Sequence, residues 1–133
     1  MIVVDASAIV ELLLNTPLGR VVSRRIHSAE TVLHAPHLLD LEVTQVLRRF
    51  TATGVIDAAR AVASLRALRD LDLERHSHEP LLDRIWALRS NLTAYDAAYV
   101  ALAEALHAPV LTCDGKLAAS HGLAAHIELV RLG

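Results

Sequence analysis

The 133-residue sequence predicts an α/β fold built on a parallel sheet, and three observations carry that expectation. Ile2-Val3-Val4 and Val110-Leu111-Thr112 are apolar, β-branched-rich runs without alternation, the pattern of strands buried on both faces. Longer segments with helical spacing separate the short strand-like runs, so strands and helices alternate along the chain. That order describes parallel strands joined by right-handed helical crossovers.

In order, Ile2–Val4 is the first strand and Ala6–Leu14 the first helix. Leu18–Ser28 follows as a second helix with Arg20, Arg24 and Arg25 along its edge. Thr31–Ala35 leans towards strand and is closed by Pro36, a residue suited to opening a helix. His37–Thr53 carries a core stripe of Leu39, Val43, Val46, Leu47 and Phe50 and stops at Gly54. Asp57 caps a fourth helix to about Asp70, with Ala58, Val62, Leu65 and Leu68 facing inward. Leu71–His76 reads as a short strand, and Glu79 or Pro80 opens a fifth helix through Arg89. Asn91–Thr93 is a turn before the small-residue helix Ala94–His107. Pro109–Thr112 is a strand, Asp114–Ser120 a short helix and His126–Val130 a last strand.

One domain spanning 1–133 accommodates these elements, because a chain of ~150 residues buries roughly 68–70% of its unfolded surface. Hydrophobic residues make up 53% of the sequence, which excludes disorder, and aromatics only 3%, which disfavours a base-stacking platform. A net charge of −2 disfavours a protein that coats nucleic acid without specificity. Twelve of the thirteen basic residues are Arg, whose guanidinium suits phosphate, although codon usage explains the bias as well. The single Cys113 forms no intrachain disulfide and points to a reducing, cytoplasmic setting. Met1–Leu14 lacks a basic leader and is broken by Asp5 and Glu11, so neither a signal peptide nor a membrane span is expected.

Four carboxylates stand where chemistry is done. Asp5 and Asp114 each end a buried strand and precede a helix, the place where open α/β sheets bind ligands. Each is also good helix-cap or turn chemistry. Asp96 occupies Thr93-Ala-Tyr-Asp96, which resembles a capping box, yet it heads the apolar stripe of Tyr99, Val100 and Ala103. Glu42 flanks the apolar stripe of the third helix, with Asp40 on the opposite flank; a solvated Glu is the plain alternative. Acids gathered in a low-dielectric crevice repel one another and either protonate or take up a cation. Mg²⁺, or Mn²⁺ in its place, fits oxygen ligands of this kind. Zinc fits less well, since His34-x-x-His37 and His76-x-His78 are the only close His pairs and no Cys pair exists.

Val3-Val4-Asp5-Ala-Ser7-Ala, Pro36-x5-Glu42-Val, Leu92-Thr-x-x-Asp96-Ala-x-Tyr99-x-Ala-Leu-Ala103 and Leu111-Thr112-x-Asp114 together resemble the PIN domain, and within it the VapC toxins. The resemblance covers essentially the whole chain. It implies a three-layer α/β/α sandwich with strand order 3-2-1-4-5 and a metal-dependent endoribonuclease, homodimeric and silenced by a cognate antitoxin. Asp5, Glu42, Asp96 and Asp114 match the family's four acidic positions, and Ser7 and Thr112 match polar positions that support them. On this footing Asp5 and Asp96 hold the principal Mg²⁺ while Asp114 and Glu42 complete the cup. A structured RNA such as tRNA is the expected substrate, with Arg24, Arg25, Arg48, Arg49 and Arg89 as candidate phosphate contacts. An antitoxin helix could lie on Leu12, Leu13, Leu14, Val21, Val22 and Ile26, unless these fill the core.

Two other α/β families fit poorly. A receiver domain needs an acidic pair after the first strand, where Asp5-Ala6 stands, and a haloacid-dehalogenase phosphatase needs an Asp where Ser7 stands. A PIN-like module that binds RNA or protein without cutting it remains as the alternative.

Overall fold

The computed structural model describes residues 1–28 and 30–133. Five parallel strands form one sheet: β1 (Ile2–Val4), β2 (Leu33–Pro36), β3 (Leu73–His76), β4 (Val110–Thr112) and β5 (Ile127–Leu129). Their order is β3-β2-β1-β4-β5, which places β1 at the centre, as expected. Ile2 and Val3 pair with Leu33 and His34 on one side, and Val3 and Val4 with Val110 and Leu111 on the other. Every residue of β1 is fully buried, which explains its unbroken apolar run.

Helices α1 (Ala6–Leu13), α2 (Pro17–His27), α3 (Leu38–Ala52) and α4 (Ala58–Asp70) pack together as one layer. Helices α5 (Leu82–Ala87) and α6 (Ala94–Leu106) pack together, and α6 lies against β1, β2 and β4. A short α7 (Gly115–Ala118) joins β4 to β5. The connections that step outwards from β1 on opposite sides make the β1/β4 junction the topological switch point, where a crevice opens beyond the strand ends. Gly19 permits the tight seat of α2 on α1, since a Cβ there would come within 1.9 Å of the Glu11 carbonyl oxygen.

Several element boundaries differ from expectation for identifiable reasons. Pro36 ends β2 instead of opening α3; it pairs with His76 beyond the part of β2 that pairs with β1, so no ladder donor is missed. The fifth helix is divided into a 3₁₀ turn over Glu79–Leu81, with Pro80 inside it, and the short α5. On α4 the inward face is rotated: Ala61, Ser64, Leu65 and Leu68 are sheltered, whereas Ala58 is exposed and Val62 is 46% exposed. That helix packs on α3 and α1, helix against helix, so only a narrow stripe is covered.

Candidate active site

The site assembles around Asp5. The residue leaves β1 with extended backbone and caps α1, its Oδ1 accepting the Ala8 N–H at 3.0 Å. Capping does not exhaust it. Ser7 Oγ donates to the same oxygen at 2.7 Å, and the Thr112 hydroxyl, at the end of β4, donates to Oδ2. Each hydroxyl has one proton and gives it to Asp5, which leaves both oxygens free to accept. Ser7 Oγ takes the Cys113 N–H and Thr112 Oγ1 takes the Asp114 N–H, both at 2.9 Å. Ser7 and Thr112 thus lash the β4–α7 turn to the β1–α1 turn through a carboxylate that is only 6% exposed. The cap reading of Asp5 is seen directly, and it leaves the carboxylate facing the crevice residues Thr112 and Ser7 as well.

The other three acids converge from separate elements. Asp114 caps α7, its Oδ1 accepting the Lys116 N–H at 2.9 Å. Asp96 stands in the first turn of α6, where the Asp96 N–H donates to Thr93 Oγ1 at 3.2 Å. Glu42 reaches in from α3 and accepts a 2.6 Å hydrogen bond from the Tyr99 hydroxyl. Asp40, on the other flank of α3, is held by the Arg75 fork at 2.8 and 2.9 Å, away from the cup.

Electrostatics show that the four share one field. Burial pushes the Asp5 carboxyl above its usual range, and the charge of Asp114 adds to this against three hydrogen bonds that lower it. Glu42 is pushed up by burial and by the charges of Asp96 and Asp5, with the Tyr99 hydroxyl opposing. Asp96 is raised by burial and by Asp114. The interactions close a ring: Asp5 with Asp114, Asp114 with Asp96, Asp96 with Glu42, Glu42 with Asp5. Among the described residues, no basic side chain contributes to the shifts of these three carboxyls, and acids that repel one another in this way can take up a cation. The donor set is all carboxylate oxygen, the chemistry of Mg²⁺ or Mn²⁺. No three of these acids bring ligand oxygens within 4.8 Å of one another.

Two features escaped the sequence. Tyr99 was read as an apolar-stripe residue and a motif position without a role, yet its hydroxyl fixes Glu42 from 57 positions away. The second is a group of His34, Glu74 and His76 on β2 and β3, which among the described residues is the one His/Cys/Asp/Glu set with ligand atoms within 4.8 Å. Sequence spacing paired these His residues with His37 and His78 instead.

The surroundings of the cup are mixed. A cleft of about 350 Å³ runs from Glu42 along α3, lined by Leu38, Leu41, Gln45, Val46, Arg49 and Tyr95. Leu41 and Tyr95 are 74% and 65% exposed. Among the Arg candidates, Arg49 lines this cleft, whereas Arg25 is engaged by Glu128 at 2.7 and 3.0 Å and Arg89 lies over the Trp86 ring at 4.5 Å. Leu14, Val22 and Ile26, considered for antitoxin binding, are core residues. No helix among the described residues is long and apolar enough to cross a membrane.

The parallel sheet of order 3-2-1-4-5 with helices on its faces is the fold the PIN resemblance implies. The PIN-domain family model matches residues 2–121, and the chain belongs to that family. Its relatives are VapC proteins. Ribonuclease VapC12 of Mycobacterium tuberculosis is 46% identical over 130 residues, covering 98% of this chain and 99% of the relative. Ribonuclease VapC1 of the same organism is 46% identical, with 97% of each covered. Among solved structures, PAE2754 from Pyrobaculum aerophilum superposes with a TM-score of 0.72 at 26% identity, over 95% of this chain and 81% of that one.

Proposed function

We propose that the chain is a Mg²⁺-dependent endoribonuclease, with Mn²⁺ as a substitute, acting in the cytoplasm as the toxin of a type II toxin–antitoxin pair. The observation that carries this reading is the convergence of Asp5, Glu42, Asp96 and Asp114 beyond β1 and β4, where their charges repel one another. The names of the VapC relatives support the ribonuclease assignment.

Asp5 and Asp96 are the principal ligands, directly or through water, and Asp114 and Glu42 complete the cup. A bound Mg²⁺ supplies acidification of the attacking water and neutralisation of charge on the phosphate. Ser7, Thr112 and the Ala8 N–H hold Asp5 at a fixed aim, so little reorganisation is needed when the ion and the phosphate arrive. Tyr99 does the same for Glu42. No histidine is needed as general base; His37 and His107 are both exposed at helix ends. In-line attack by water leaves a 5′-phosphate and a 3′-hydroxyl, with no part for the 2′-hydroxyl.

Four acids repel RNA until the cation is present, so attraction falls to the rim, where Arg49 lines the cleft beside Glu42. A structured RNA such as tRNA presents unstacked bases suited to such a cleft. A homodimer is the assembly the family resemblance implies. The cognate antitoxin is the inhibitory partner.

The test is incubation of the purified chain, free of any antitoxin, with total small RNA in Mg²⁺, in Mn²⁺ and in EDTA. Cleavage with either ion, abolished by EDTA and by Asp5→Ala or Asp96→Ala, is expected. Cleavage that survives EDTA or both substitutions refutes the metal mechanism, and binding of RNA without cleavage in any condition establishes the non-catalytic alternative.

A further inference from the structure

His34, Glu74 and His76 are not used by the acidic cup. In the parallel register of β2 and β3, His34 lies opposite Glu74, and His76 stands two residues further along β3. With side chains alternating along a strand, all three leave the same face of the sheet. His34 Nδ1 lies 2.8 Å from His76 Nε2 and 3.7 Å from a Glu74 carboxylate oxygen. One buried nitrogen therefore has two further donors aimed at it.

The spacing matches a coordination sphere. An ion bound at about 2.0–2.1 Å in a tetrahedron separates its ligand atoms by about 3.3 Å. The two distances from His34 Nδ1 bracket that value, so sub-ångström side-chain adjustments admit an ion. The ring of His34 is buried between the two strands, so its Nδ1 is held in place rather than free to swing away. Two imidazoles and one carboxylate suit zinc and its neighbours, whereas Mg²⁺ and Ca²⁺ prefer oxygen alone. Glu74 is exposed on the outer strand, which leaves a fourth position open to water.

We propose that His34, Glu74 and His76 form a second metal site, for Zn²⁺ or a similar transition ion, that clips the outer strand β3 to β2. Without metal, the 2.8 Å contact is an imidazole–imidazole hydrogen bond carrying one shared proton. Coordination through Nδ1 moves the His34 proton to Nε2, so no proton need leave the protein. His34 Nε2 is buried with no hydrogen-bond partner among the described residues, and it carries the proton when Nδ1 coordinates. The site stands whether or not the chain cuts RNA.

Co²⁺ is the probe, added to the full chain in excess Mg²⁺ to occupy the acidic cup. The proposal predicts one equivalent bound with the intense visible bands of four-coordinate cobalt, displaced by Zn²⁺ and not by Mg²⁺. Zn²⁺ also raises the melting temperature. His76→Asn and Glu74→Gln, both on the outer strand, weaken Co²⁺ binding by about 100-fold or more, since losing a ligand costs no less than the ~10–100-fold typical of its supporting partners. Glu74→Gln alters a solvent-exposed side chain and decides the matter if His76→Asn does not fold. Absence of the four-coordinate spectrum, or a spectrum unchanged by Glu74→Gln, overturns the proposal.

Discussion

Tyr99→Phe removes one oxygen atom from the interior and tests whether the acidic cup is held under electrostatic tension. The ring of Tyr99 is 1% exposed and keeps its packing, so the variant deletes little beyond the 2.6 Å hydrogen bond to Glu42. Hydrogen bonds to charged groups contribute about 1.5–3 kcal/mol. Glu42 is half-buried and can recruit water in place of the phenol, which sets the expected loss near the lower end, about 1.5 kcal/mol. For a chain of this size that lowers the melting temperature by about 4–6 °C. The sign of the pH dependence follows from Glu42. Its folded-state pKa is raised, and the Tyr99 hydroxyl is the interaction that pulls it down. Without the hydroxyl the pKa climbs further, so the penalty is greatest above the raised value and shrinks as pH falls through it. Urea unfolding in EDTA, at neutral and mildly acidic pH, measures both effects. A double-mutant cycle with Glu42→Gln should return a coupling of about 1 kcal/mol. A coupling within ~0.3–0.5 kcal/mol of zero, or a penalty that does not change with pH, refutes the reasoning.

Three further outcomes follow from the same geometry. Gly19→Ala drives a Cβ to within 1.9 Å of the Glu11 carbonyl oxygen, and chemical denaturation should show a loss of about 2–3 kcal/mol or more. Thr112→Val is nearly isosteric but strips Asp5 of a buried donor and the Asp114 N–H of its acceptor; about 2–3 kcal/mol of stability and at least tenfold in RNA cleavage should be lost, measured by urea melts and gel assays. Asp96→Asn relieves repulsion with Asp114 and Glu42, so the metal-free variant should be about 1 kcal/mol more stable than the parent at neutral pH while losing cleavage. Because the Asp96 pKa is raised, this advantage should vanish as pH falls through that value, and calorimetry across the range checks it.

What was legible in the sequence was local. The unbroken apolar runs of β1 and β4 announced strands buried on both faces, and the sheet buries them so. Asp5 and Asp114 were visible because strand, carboxylate and helix follow one another along the chain. Asp96 stood out at the head of an apolar stripe, and Glu42 acquired meaning through the family resemblance, since a helix period alone does not separate a site acid from a solvated one. The contacts that hold the site were not legible. The resemblance named Thr112 and Ser7 as supports but not the oxygens they reach, and the Tyr99 contact to Glu42 across 57 positions is set by helix docking. The His34–His76 contact likewise depends on the register of β2 with β3. The orientation of α4 failed for a related reason: an Ala-rich surface offers a weak stripe, and packing on α3 and α1 chose Ser64 over Val62.

The central claim is that a divalent cation sits among Asp5, Glu42, Asp96 and Asp114. Crystals soaked in Mn²⁺ and measured for anomalous scattering locate it directly. A peak within coordinating distance of the Asp5 and Asp96 carboxylates, absent in Asp5→Asn crystals soaked in the same way, is the predicted result. An acidic cup with no anomalous peak at saturating Mn²⁺, or one whose peak is unaffected by Asp5→Asn, contradicts it.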